Sequence, residues 1–211
     1  MRYRRLGDTE QMVSEVGLDV RSALAGGDEA AEVMIRRAID AGVTVFAWDV
    51  SDAAEDVEPL LVRAAGVDRG RLTLVATLDI LPAPEAMGPQ AEAIASRLAE
   101  PGAEGYLDVL VLPGLPDAAQ QTALDEVRAR GVIRFVGHAA EGDAEVATPT
   151  PDGLDVLVLS GAPRSDRPGV GVLARADGAG AAALIEGGRV ASVITSAVDA
   201  TTLARLLAPL S

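Results

Sequence analysis

The stretch LDVLVLP, Leu107–Pro113, decides the fold of this chain. After its single acid, Asp108, the run is apolar at successive positions, Val and Leu in turn, instead of alternating with polar residues. Continuous runs of this kind belong to parallel strands buried on both faces, whereas a half-solvated antiparallel strand would alternate. The same signature returns in DVLVLS, Asp155–Ser160, and in weaker form elsewhere. The full set of expected strands is Val16–Val20, Val43–Asp49, Leu72–Leu78, Leu107–Pro113, Ile133–His138, Asp155–Ser160, Val170–Ala174 and Val190–Thr195.

Between these runs lie stretches with helical spacing. DEAAEVMIRRAIDAG has Gly27 or Asp28 as its cap, Ala31, Met34, Ile35, Ala38 and Ile39 on one face, and Gly42 as its stop. GPQAEAIASRLAEPG and DAAQQTALDEVRARG follow the same plan. The second ends on Arg128, Arg130 and Gly131, which suit the negative end of a helix. VDATTLARLLAPL supplies a last helix. Eight strands alternating with helices predict a compact (β/α)8 TIM-type barrel over residues 1–211 as a single domain, with an open doubly wound sheet as the alternative. The second half is thin. GAPRSDRPG, Gly161–Gly169, is shorter than the dozen or so residues a parallel crossover usually needs. EGDAEVATPTPDG also reads as loop. Trimmed crossovers there predict an apolar wall left uncovered, a surface for a partner.

Composition narrows the functional classes. The 211 residues are 49% apolar but only 2% aromatic, so the core is built from Ala, Val and Leu. There is no cysteine, which excludes disulfides and thiolate chemistry. Every basic residue is arginine, so all lysine-dependent mechanisms are excluded. A net charge of −14 argues against nucleic acid and anionic membrane surfaces. No apolar run approaches the roughly 18 to 20 residues of a membrane span. MRYRRLGDTE lacks the apolar segment of a secretory signal. A cytoplasmic protein is expected. LAGGDEA and DGAGAAALIEGG lack both phosphate-binding spacings and read as turns and caps.

Taken in order, these segments resemble the aldo-keto reductase family. YRRLGDTEQMVSEVGLD is similar to the family's N-terminal hairpin and first strand, and MIRRAIDAGVTVF to the helix and strand that follow. RLTLVAT, YLDVLVLP, ARGVIRFVG, GVGVLA and VASVITSAVDATTLARLL resemble strands three, four, five, seven and eight. The resemblance implies a barrel and an NADPH-dependent carbonyl reductase with four working groups: an Asp and a Tyr after strand two, a Lys ending strand three and a His ending strand four.

Those groups are not matched. The family's Phe-Asp-Thr-Ala corresponds to Phe46-Ala47-Trp48-Asp49, so Ala47 stands at the Asp position. The Tyr position falls on Asp52, or on Ser51 if the register slips by one. Ala-Thr-Lys becomes Ala76-Thr77-Leu78, and Leu-His becomes Leu112-Pro113. The only tyrosines are Tyr3 and Tyr106. The family's Ser-Asn cofactor contact after strand five is replaced by His138-Ala139-Ala140. Asp199 lies where basic groups would meet a 2′-phosphate. Arg175 and Ser196, ending strands seven and eight, are the remaining cofactor-binding candidates.

Strand ends are where barrels place their working residues. Here they are Asp19, Asp49, Asp79, Pro113, His138, Ser160, Arg175 and Ser196, with Asp52, Asp117 and Asp177 on the loops. Asp49, Asp52 and His138 are the candidate catalytic groups for any rebuilt chemistry. A hard cation on Asp19, Asp49 and Asp79 is conceivable by charge, but no ligand spacing supports a metal site. Trp48, beside Ala47, is expected at the mouth as filling for the former substrate cavity, a binding platform or rim packing. The favoured reading is a catalytically inactive aldo-keto-reductase-like protein without cofactor, acting with a protein partner or as a homo-oligomer. The alternative is an enzyme or small-ligand binder working at the acidic mouth.

Overall fold

The structure is a computed structural model, and it describes residues 1–51, 57–100, 103–140, 153–163, 168–197 and 199–207. An antiparallel hairpin of β1 (Tyr3–Arg5) and β2 (Met12–Ser14) comes first. Eight parallel strands then close into a barrel: β3 (Val16–Asp19), β4 (Val45–Val50), β5 (Thr73–Leu78), β6 (Leu107–Leu112), β7 (Ile133–Ala140), β8 (Val156–Ser160), β9 (Gly171–Arg175) and β10 (Ser192–Ser196). They pair in chain order, with β10 joining β3 to shut the ring. The helices are α1 (Val20–Ala23), α2 (Asp28–Asp40), α3 (Val57–Ala65), α4 (Pro84–Arg97), α5 (Ala118–Ala129), α6 (Gly178–Gly187) and α7 (Ala200–Leu207). The barrel, rather than the open sheet, is the observed solution.

Two apolar layers hold it. Val45, Ala47, Val75, Val109, Val111, Val156, Val158, Leu173 and Ile194 fill the barrel interior. Side chains of this size suit a small barrel, and each buried Val, Leu or Ile contributes about 1.5–3 kcal/mol. Gly17 and Gly137 are required by close approach: a Cβ on Gly17 would lie 2.9 Å from Val45, and one on Gly137 3.0 Å from Val111. Leu6 and Val13 of the hairpin join the same cluster and plug the N-terminal end. The outer faces of the strands, including Phe46, Leu74, Leu78 and Leu110, pack beneath the helices.

Asp108, the lone acid of the opening stretch, is fully buried at the start of β6. Its carboxylate accepts from Leu74 N at 3.0 Å, Arg69 Nη1 at 2.9 Å and Arg134 Nη1 at 3.2 Å. Three donors, two of them cationic, are what a buried carboxylate requires.

Three expectations need correction. The wall outside β8 and β9 is not bare: Leu157, Leu159, Val172 and Ala174 are buried in a cluster with Ala181 and Ile185 of α6. DGAGAAALIEGG is largely helix α6, because Ala181, Leu184 and Ile185 supply an i, i+3, i+4 stripe that its glycines obscure. The helix read from Gly88 begins at Pro84, where proline suits the first turn, and carries Pro89 in its interior.

Candidate functional site at the C-terminal mouth

The mouth of the barrel is crossed by an ion pair. Arg175, ending β9, reaches Asp49, near the end of β4, with Nη2–Oδ1 at 2.5 Å and Nη1–Oδ2 at 3.3 Å. In the ring β10 and β3 lie between these two strands, so the pair spans a chord of the mouth. Arg175 Nη2 also donates to Thr77 Oγ1 of β5 at 3.2 Å. The two-point geometry is the strong form of an arginine–carboxylate contact. Both side chains remain partly exposed, at 28% and 39%.

Asp19 stands beside them at the end of β3. Its Oδ1 accepts from Arg21 N at 3.1 Å and caps α1. Burial raises its pKa above the ordinary 3.8, and the charge of Asp49 adds to the rise. The Arg21 amide and the Arg175 guanidinium oppose it. Asp49 and Arg175, separate candidates in the sequence, are thus brought together, with Asp19 next to them.

The other sequence candidates disperse. His138 is buried, and Ala139 beside it packs on the inner cluster, so strand alternation turns His138 to the outer face of the barrel. Leu78 is likewise turned into the outer core, and the side chain β5 presents to the mouth is Thr77. Leu78, which stands at the family's Lys position, and Thr77 thus lie on opposite faces of β5. Pro113 and Asp79 are exposed, and Asp52 lies outside the described residues. Ala47 does face the interior.

Trp48 is not at the mouth. It is fully buried in the outer core, and its Nε1 donates to Glu58 Oε1 of α3 at 3.2 Å. Arg97 of α4 meets the same Oε1 at 3.1 Å. Inward Ala47 and Asp49 place Trp48 on the opposite face by alternation, so it fills no substrate cavity. Tyr3 donates to Gly42 O at the turn before β4, and Tyr106, just ahead of β6, lies under Arg69 at 4.1 Å. Both tyrosines are at the end of the barrel opposite the mouth.

Two further acids occupy backbone donors beside the mouth. Asp177 Oδ1 accepts from Ser196 N at 2.8 Å and from Thr195 Oγ1 at 3.2 Å. Asp199 Oδ1 accepts from Thr202 N at 2.7 Å at the head of α7, and these Thr202 contacts hold its carboxyl below the usual range. Asp117 is spent on α5, in a capping box with Gln120. Among the described residues no three acids or histidines gather as a metal-binding group. Sequence reasoning missed Thr77 and the Glu58–Arg97 pair. Thr77 could have been found by counting alternation back from Val75.

No family model and no curated protein matches the sequence. Solved structures do. An aldo-keto reductase from Bacillus halodurans in its holo form has a TM-score of 0.80 at 15% identity, over 100% of this chain and 91% of that one. An aldo/keto reductase from Klebsiella pneumoniae, solved in complex with NADP and acetate, has a TM-score of 0.61 at 21% identity, over 82% of this chain and 66% of that one. A glycerol dehydrogenase from Gluconobacter oxydans has a TM-score of 0.60 at 16% identity, over 82% and 62%. Among the described residues, no helix is long and apolar enough to cross a membrane. The chain has the closed (β/α)8 barrel fold of the aldo-keto reductases.

Proposed function

We propose that this protein is a catalytically inactive barrel of aldo-keto reductase fold that works as a partner, scaffold or stabilising subunit in the cytoplasm and takes up no nicotinamide cofactor. The observation that carries the reading is the Asp49–Arg175 pair laid across the mouth. A carbonyl reductase needs a proton donor whose pKa is matched to its task, next to the carbonyl it reduces. Here the chain has no lysine, both tyrosines are at the far end, and Arg175, which reaches across the mouth, is committed to a carboxylate.

The residues also do not fit a nicotinamide dinucleotide. A phosphate seeks backbone N–H groups and arginines. Ser196 N is taken by Asp177, the first turn of α7 is taken by Asp199, and Arg175 by Asp49. Each of these three donors already holds a carboxylate, and like charges within hydrogen-bond reach repel.

A second reading is favoured by one arrangement, part-buried Asp19 beside the Asp49–Arg175 pair, where burial raises its pKa. A carboxyl group that keeps its proton longer next to Arg175 makes a pair for rebuilt chemistry or for holding a small polar ligand. The two readings separate in an assay of NADPH consumption and of aldehyde, ketone and ester turnover over pH 5–8. The scaffold reading expects rates equal to those without protein. Turnover that disappears in Asp19→Asn and Arg175→Ala would overturn it in favour of the second.

A further inference from the structure

Away from the mouth pair, a groove of about 690 Å³ runs between the turn after α1, the first two turns of α2 and the head of α7. Its floor is apolar: Ala23 and Met34 are buried beneath it, and Ala30 and Val33 face outward, Val33 being 47% exposed. Asp28, Glu29 and Asp199 line it as well; among the described residues no basic side chain lines it, although Arg205 of α7 is near enough to Asp199 to help hold it ionised. Gly27 precedes α2 at φ 85°, and a Cβ there would meet nothing within 4 Å, so the approach is open. As a glycine it offers no side-chain cap, which leaves the first N–H groups of α2 without that partner.

We infer that this groove docks a basic, apolar-flanked segment of a partner protein. Three features call for one occupant. Arginine or lysine side chains complement Asp28, Glu29 and Asp199, the last of which is held ionised by its hydrogen bonds to Thr202. Leucine-like side chains cover Val33 and Ala30. The carbonyls of an extended peptide accept from the uncapped N–H groups at the start of α2. An acidic occupant would meet three carboxylates, and a chain of net charge −14 is a poor second copy for itself. The inference rests on reading the protein as a binding partner, and it names the chemistry of what is bound.

The test uses the full chain, isotopically labelled, titrated with a synthetic peptide of alternating leucine and arginine and with its leucine–glutamate counterpart. Amide shifts are followed by NMR. The basic peptide should give saturable shifts confined to Gly26–Met34 and the head of α7, weakening as salt is raised. Asp28→Asn with Glu29→Gln should weaken it about three- to tenfold, as expected for rim charge pairs. Val33→Ser, at an exposed position and with its fold checked by thermal melting, removes apolar cover without changing the charge and should weaken binding of the basic peptide several-fold. No shift at millimolar basic peptide, equal shifts with the acidic peptide, or shifts centred on another face would each overturn the inference. Cofactor uptake, measured separately, would overturn the scaffold reading and leave the peptide result intact, so the two failures are distinguishable.

Discussion

Asp49 and Arg175 are 126 positions apart in the chain, yet each is the other's charge partner. Both are part-exposed, so solvent screening limits the coupling; a double-mutant cycle with Asp49→Ala and Arg175→Ala should return about 0.5–1.5 kcal/mol. A coupling indistinguishable from zero would mean that the pair does not hold the mouth. Asp19 adds a pH signature. Its folded pKa is raised above 3.8, so the native state binds the proton more tightly than the unfolded chain does. The stability this contributes is present below 3.8 and is lost as pH rises through the folded value. Asp19→Asn keeps a capping side chain but not the titration. The variant should therefore gain stability relative to wild type as pH is raised from about 3 to about 7, by urea denaturation at each pH. A difference independent of pH would contradict the burial argument. Glu58 is a more demanding site. It is fully buried, and it receives both the Trp48 indole and Arg97, which is 35% exposed. Glu58→Ala strands the indole N–H but lets Arg97 recover some water. The expected loss is about 2–4 kcal/mol, with a shift in Trp48 emission. A loss below about 0.5 kcal/mol would show the pair to be dispensable.

At the scale of elements, the strands were legible because burial on both faces writes an unbroken apolar run. All eight were found within a residue or two of their ends. Helix ends were legible where a side chain makes the cap. Asp117 accepts from Gln120 N at 2.8 Å, and Gln120 Oε1 accepts in return from Asp117 N at 2.8 Å. Asp117→Ala should cost about 1 kcal/mol in thermal or urea unfolding, and a neutral result would remove the capping box from the account. Helix α6 was illegible because its glycines mimic loop composition, while its apolar stripe matters only against the outer faces of the strands, Val193 of β10 among them. It ends at Gly188, which sits at φ 71°. Gly188→Ala should destabilise by about 1 kcal/mol, since a Cβ is strained in that left-handed conformation. The orientation of strand-end side chains was only half legible. Trp48 and His138 were expected at the mouth and lie on the outer face. One residue of alternation separates the two outcomes, and an ungapped reading of residue types does not carry it.

At the scale of the whole molecule, a barrel plugged at one end by its hairpin carries at the other an arginine already answered by an aspartate. The absent lysine and the absent mouth tyrosine were visible in the sequence. The acid at Asp199 was visible as well; the carboxylate on Ser196 N was not, because Asp177 reads equally well as a turn residue. The proposal that no nicotinamide dinucleotide is taken up rests on these contacts among the described residues, which compete for the donors its phosphates would use. Trp48 fluorescence would report it poorly, since the indole lies in the helix layer, so the measurement is a calorimetric titration of the intact chain with NADPH and NADP+ at low salt. No saturable heat through millimolar cofactor is predicted for wild type. Saturable binding in the micromolar range that is lost in Arg175→Ala would contradict the account and return the mouth to cofactor chemistry.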